Sequence, residues 1–229
     1  MSEILMNSTY FGALLCLFCY FIGRALARRF PHPLMNPLLI AIALCTAFVL
    51  VCRVDYDSFN ASAGKLTWLL TPATVALAIP LYEKLDLLRR HADAVLLSIL
   101  AGCLTSALTV LAIRFLCGLS PADYATLLPK SVTTAIGMPL AEQLGGAGSI
   151  AAIAIILTGV AGNVMAPTLL KLVRVEEPVA VGLAIGTSAH AVGTARAIEM
   201  GEIEGAMSGL AIAVSGLLTA VLAPLFAMI

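Results

Sequence analysis

The sequence predicts an all-α, polytopic membrane protein of about six to eight membrane segments, some interrupted or re-entrant and carrying inverted-repeat character. Three observations lead there. Hydrophobic residues make up 61% of the 229 residues and charged residues 11%, whereas soluble domains average about 45–50% and about 25%. Stretches free of Asp, Glu, Lys and Arg recur along the chain, several near the roughly 20 residues that cross a bilayer as a helix. Glycine and proline interrupt the others, and 14 of the 18 glycines lie at Gly118 or later. This composition excludes a soluble enzyme domain and a disordered chain. Thirteen basic residues balance thirteen acidic ones, so a nucleic-acid binder is excluded as well.

The uncharged stretches run 4–23, 30–52, 66–82, 94–113, 143–170, 178–195 and 205–229. Ordinary spans are expected at 4–23, 37–52, 94–113 and 205–227, with a tilted one in 143–170 after the Gly145-Gly146 break. The first is expected to be retained, because Arg24, Arg28 and Arg29 follow it instead of preceding it. Residues 1–60 then read as an amino-terminal transmembrane hairpin and 61–229 as a repeat core with broken helices. The six cysteines all lie at or before residue 117, in or beside apolar runs. Cys16 and Cys19 read as helix-packing residues, since no further ligand lies near them.

The segments 66–82, 121–142 and 178–195 are short or broken by Pro or Gly. Such backbone survives at membrane depth only inside protein or against a water-filled cavity. They also resemble one another. Pro80-Leu81-Tyr82-Glu83-Lys84-Leu85 matches Pro139-Leu140-Ala141-Glu142-Gln143-Leu144, and Ala135-Ile136-Gly137 is echoed by Ala191-Val192-Gly193. Each unit reads as an interrupted segment followed by one full span, and units two and three would form an inverted pair. Arg89, Arg90, Lys171 and Arg174 become cytoplasmic if 121–146 dips in from outside.

Two clusters carry candidate chemistry. In Gly186-Thr187-Ser188-Ala189-His190-Ala191-Val192-Gly193-Thr194-Ala195-Arg196, a continuous helix would put Thr187, His190 and Thr194 on one face. Ionisable groups at membrane depth mark pathways or sites. The alternatives are an interhelical hydrogen bond for His190 and a snorkelling Arg196. In Pro129-Lys130-Ser131-Val132-Thr133-Thr134, a cation and three hydroxyls at a half-helix start suit an anion. The candidate substrate-binding residues are therefore Lys130, Ser131, Thr133, Thr134, Thr187, Ser188, His190, Thr194 and Arg196. Glu83 and Glu142 each follow a proline by three residues and read as first-turn caps. Proton coupling is their alternative role, and it requires burial. Asn163 is expected to make an interhelical hydrogen bond, and Gly201, Gly205 and Gly209 a smooth packing face. No catalytic, cofactor or metal-site pattern is present in the sequence, so an enzyme is not expected.

Four ordered motifs resemble the LrgB/CidB family, which includes part of the plant plastidial glycolate/glycerate translocator. They are Asn36-Pro37-Leu38-Leu39; Pro72-Ala73-Thr74-Val75-Ala76-Leu77-Ala78 running into Pro80-Leu81-Tyr82; Leu128-Pro129-Lys130-Ser131-Val132-Thr133-Thr134; and Gly186 to Arg196. Thr71, Ala135 and Gly137 depart from the usual pattern. The resemblance covers nearly the whole chain and makes 61–229 an LrgB-like core. It implies a multi-pass protein of a bacterial inner membrane, working with a small LrgA/CidA-type membrane protein in a homo- or hetero-oligomer.

Two functions are then in play. One is a secondary transporter for small monocarboxylates of the pyruvate or glycolate type, its carboxylate anion held where the interrupted segments meet. The other is a holin-like or antiholin-like regulator of murein hydrolase export and cell lysis. That role needs packing surfaces, such as the glycines around Gly205, but no ordered anion site.

Overall fold

The computed structural model describes residues 8–30, 35, 37–69, 72, 75, 76, 79, 82 and 92–229. Among these every regular element is helical, as a chain that must satisfy its own backbone hydrogen bonds in lipid requires. The chain divides into two units, Met1–Thr74 and Val75–Ile229.

In the first unit α1 (Phe11–Arg29) and α2 (Pro37–Val51) are apolar helices, and α3 (Tyr56–Ala63) is short and followed by a 3-10 turn over Gly64–Leu69. Arg28 and Arg29 occupy the last turn of α1, where cations complement the helix dipole. The backbone N–H of Gly12 donates to buried Ser62 Oγ at 2.9 Å, which fixes α3 against α1. A Cβ at Gly12 would lie 2.5 Å from that oxygen, so only glycine permits the approach. Cys16 and Cys45 face each other across α1 and α2 with sulfurs 3.9 Å apart. Pro80, Leu81 and Glu83 to Leu85 of the first repeat copy, and eight of the residues in 66–82, lie outside the described residues.

The second unit contains α4 (Ala92–Cys117), α5 (Pro121–Leu127), α6 (Thr134–Gln143), α7 (Gly148–Leu172), α8 (Pro178–Met200) and α9 (Glu202–Ala227). By length and composition α1, α4, α7, α8 and α9 could each cross a membrane. α8 does not run straight, however. His190 has φ 41° and ψ −142°, and the helix breaks there. In a continuous helix, residues eight apart stand about 12 Å from each other. Here a Cβ on Gly193 would lie 2.9 Å from the Ile185 side chain, and Ala197 shares a buried cluster with Val181 and Ile185. α8 is a hairpin whose two arms meet at His190.

α5 and α6 form another hairpin, the first in chain order. Ser120 caps α5 by accepting from the Asp123 N–H at 3.1 Å, with Pro121 at the first helical position. The chain turns over 128–133, and Leu140 returns to the buried cluster of Tyr124 and Leu128. Thr126 Oγ1 closes the base by accepting from the Ala147 N–H at 2.8 Å. Gly145 (φ +85°) and the Gly146 N–H to Ala141 carbonyl bond end α6 in a left-handed cap.

The hairpins enter from opposite ends of the bundle. α5 starts beside the carboxy-terminal end of α4, and the Tyr124 hydroxyl donates to the Phe226 carbonyl near the end of α9 at 3.1 Å. The first arm of α8 starts beside the amino-terminal end of α4, where Val95, Ile99 and Cys103 pack with Leu183 and Met207. Both tips stop midway along α7. The two hairpins, over residues 121–143 and 178–200, are each followed by one uninterrupted helix, α7 and α9.

Glycines set the arm-to-helix distances. Cβ atoms at Gly182 and Gly186 would strike the Glu204 and Ser208 carbonyls of α9. The expected face over Gly201, Gly205 and Gly209 is used differently: Gly205 abuts Ile198 within the chain, while a Cβ at Gly209 would meet nothing. The sequence spacing showed glycine recurrence on α9 but not that the contacting glycines lie on α8.

Candidate functional site

One cavity of about 820 Å³ lies between α4, the first-hairpin tip and the first arm of α8. Lys130 and Ser131 of the tip and Thr187 and Ser188 of α8 line it. These four sequence-predicted residues are brought together. Lys130 Nζ donates to Ser106 Oγ at 3.5 Å, and Ser106 Oγ to Ser131 Oγ at 3.2 Å. Ser106 lies near the midpoint of α4, so the ammonium sits deep in the bundle. A charge at mid-bilayer costs about 2.5–3.5 kcal/mol on insertion scales. A hydrogen bond to a charged group contributes about 1.5–3 kcal/mol at good geometry, and this one, at 3.5 Å, offsets that cost only in part. Thr187 Oγ1 is buried, with no hydrogen-bond partner among the described residues.

The other predicted residues lie elsewhere. The shared face of Thr187, His190 and Thr194 does not form, because the reversal at His190 turns the second arm back. His190 is buried, and its Nε2–H donates to the Ile155 carbonyl on α7 at 2.9 Å. Thr194 Oγ1 donates to the His190 carbonyl at 3.0 Å and pairs with Ser208 Oγ at 2.7 Å. Both residues lock the hairpin tip and stand outside the cavity lining. Asn163 makes the expected interhelical bond, donating to the Val192 carbonyl at 2.9 Å. Arg196 pairs with exposed Glu199 at 2.6 Å near the end of the second arm. Thr133 occupies the N-cap of α6 without a capping bond, its Oγ1 buried and without a hydrogen-bond partner among the described residues, and Thr134 begins that helix.

Glu142 is corrected in position. It lies in the last turn of α6 and is exposed, not in a first turn. Pro139 falls inside α6 instead of opening it. The carboxylate rests against Gly148, the start of α7, so the favourable dipole belongs to a different helix. The burial that proton coupling needs is absent there, and Glu83 lies outside the described residues.

Sequence reading missed the α4 wall, which contributes Ser98, Gly102, Thr105, Ser106 and Thr109. The signal was present: 98, 102, 105 and 109 follow the i, i+4, i+7, i+11 spacing of one helical face. The exposed hydroxyls of Ser98, Thr105 and Thr109 donate to carbonyls four residues back, at 2.7, 2.7 and 2.6 Å. Their oxygens remain free to accept from water or ligand.

A helical, multi-pass membrane protein with two opposed hairpins and a polar pocket under one cation is thereby defined. The LrgB-like family pattern matches residues 16–229, and the chain belongs to that family. It is 37% identical over 221 residues to the "Antiholin-like protein LrgB" of Bacillus cereus (strain B4264), covering 95% of each chain. The same identity and coverage hold for the protein of that name from Bacillus anthracis (strain CDC 684 / NRRL 3495). No solved structure matches.

Proposed function

We propose that this chain is a non-enzymatic, antiholin-like component of a bacterial inner membrane, acting with a small LrgA/CidA-type membrane protein. The supporting observation is the end-to-end similarity to antiholin-like LrgB proteins. Co-expression with such a partner in cells carrying a large cytoplasmic reporter tests this reading. Reporter release that depends on the ratio of the two proteins is expected. Release that ignores this chain's presence removes the role.

One structural feature favours a second reading, a secondary carrier for small monocarboxylates. Two hairpins approach from opposite ends, each followed by a full span, and one tip holds Lys130 beside a hydroxyl-lined cavity. Read as an inverted pair, α5–α7 and α8–α9 have the architecture in which carriers place substrate at mid-depth. Saturable uptake of labelled glycolate or pyruvate by proteoliposomes, abolished in Lys130→Ala, is expected. Uptake no faster than in empty liposomes ends this reading and leaves the first intact.

A further inference from the structure

We infer that Cys16 and Cys45 form a dithiol modification site, at which a neutral hydroperoxide converts the pair to a disulfide that ties α1 to α2. The inference stands on the first unit alone and is independent of both readings above.

The register of the two helices makes the pair. α1 and α2 run antiparallel and close together: a Cβ at Gly23 would strike the Pro37 carbonyl, and the rings of Phe11 and Phe48 stand 6.0 Å apart, centre to centre. Cys16 and Cys45 fall between these two contacts in the same register, with sulfurs 3.9 Å apart. A disulfide holds its sulfurs at about 2.05 Å, a gap that side-chain rotation and a small approach of the helices close. Cys19 is buried one turn further along α1, and its thiol also neighbours that of Cys45. Among the described residues these thiols do not make a group that could hold a metal ion. Covalent oxidation is the chemistry left to them.

Depth decides which oxidant reaches the pair. Cys16 stands five residues after Phe11 and Cys45 six before Val51, so each lies about 7–9 Å from that end of its helix. The same end carries Arg53, Asp55 and Lys65, whose Nζ sits 4.4 Å over the Tyr10 ring. The pair is therefore under two turns beneath a charged border, and both cysteines are only half-buried. A small neutral oxidant enters that layer without the cost that excludes a charged one.

One sulfur attacks the terminal oxygen of the hydroperoxide. An S–O bond forms, the O–O bond breaks, and the departing oxygen carries off the thiol proton as water or alcohol. The second sulfur then attacks the sulfenic sulfur. The S–S bond forms, the S–O bond breaks, and the hydroxyl leaves with the second thiol proton as water. Two electrons pass from the dithiol to the peroxide bond.

The test treats the full chain, one copy per phosphatidylcholine nanodisc, with hydrogen peroxide, then denatures it, blocks free thiols with N-ethylmaleimide and digests it with trypsin without reductant. Cleavage at Arg24, Arg29 and Arg53 puts Cys16 in peptide 1–24 and Cys45 in peptide 30–53. The two peptides are expected joined, two hydrogen atoms lighter than their sum, and parted by dithiothreitol. Cys19→Ser together with Cys52→Ser leaves one cysteine in each peptide, and the link is expected to persist at wild-type yield. Cys45→Ser loses it. Should the double variant fail to fold, the two single variants test the same pairing one cysteine at a time. Peptides recovered apart overturn the proposal, as does a link that vanishes with Cys19 or Cys52, or one that migrates as a dimer on a non-reducing gel.

Discussion

His190 Nε2 lies 2.9 Å from the Ile155 carbonyl oxygen, and this bond pins the reversal of one hairpin to the middle of a spanning helix. The contact exists because residue 159 is glycine: a Cβ there would lie 2.5 Å from the imidazole Cε1. His190→Ala is expected to lower stability by about 1–3 kcal/mol through the lost buried hydrogen bond. Gly159→Leu, which displaces the ring, should cost at least as much. Thermal unfolding of the purified protein in detergent measures both, and an unchanged midpoint for the pair would remove His190 from the turn.

Tyr124 ties the base of the other hairpin to the end of α9. Tyr124→Phe removes only the hydroxyl that donates to Phe226, an expected loss of about 1 kcal/mol. Tyr124→Ala also empties a fully buried ring site, an expected loss of about 3–5 kcal/mol. Equal effects of the two substitutions would show that the ring does not pack as described.

Gly186 lets the first arm of α8 lie against the Ser208 backbone. Gly186→Val is expected to push the arm away from α9, while Gly209→Ala, with open space at its Cβ, changes little. Proteolytic sensitivity of the two variants in detergent discriminates them; equal resistance contradicts the arm placement.

Outside the spans, Asp55 caps α3 through the Ser58 N–H and hydroxyl, both at 2.9 Å. The Ser58 amide, then its hydroxyl, holds this carboxyl below its ordinary value. A carboxyl depressed in the folded state stabilises above its unfolded pKa and loses that contribution as pH falls through the folded one. Acidification below the usual carboxylate range should therefore fray α3. Asp55→Asn, a cap without a titrating group, should remove that pH dependence. Amide hydrogen exchange over residues 56–63 reports it, and identical pH profiles would contradict the cap.

The spans were legible because composition decides them: α4, α7 and α9 fall where charge-free runs of sufficient length lie, whereas the run at 37–52 forms only the 15-residue α2. The interruption at 128–133 was legible from Pro129 and the hydroxyl cluster. The reversal at His190 was legible only as a broken segment, since no proline marks it and a histidine seldom adopts positive φ. Its cause is tertiary: the Ile155 carbonyl, Asn163 and Gly159 on another helix hold the turn. The α4 hydroxyls escaped because a run scored for absence of charge hides a polar stripe within it.

Both hairpin tips press on Ile155. Its carbonyl holds His190, and its fully buried side chain fills the space left by Gly137 beyond the first tip. Displacing either hairpin tip therefore disturbs a residue on which the other tip also rests.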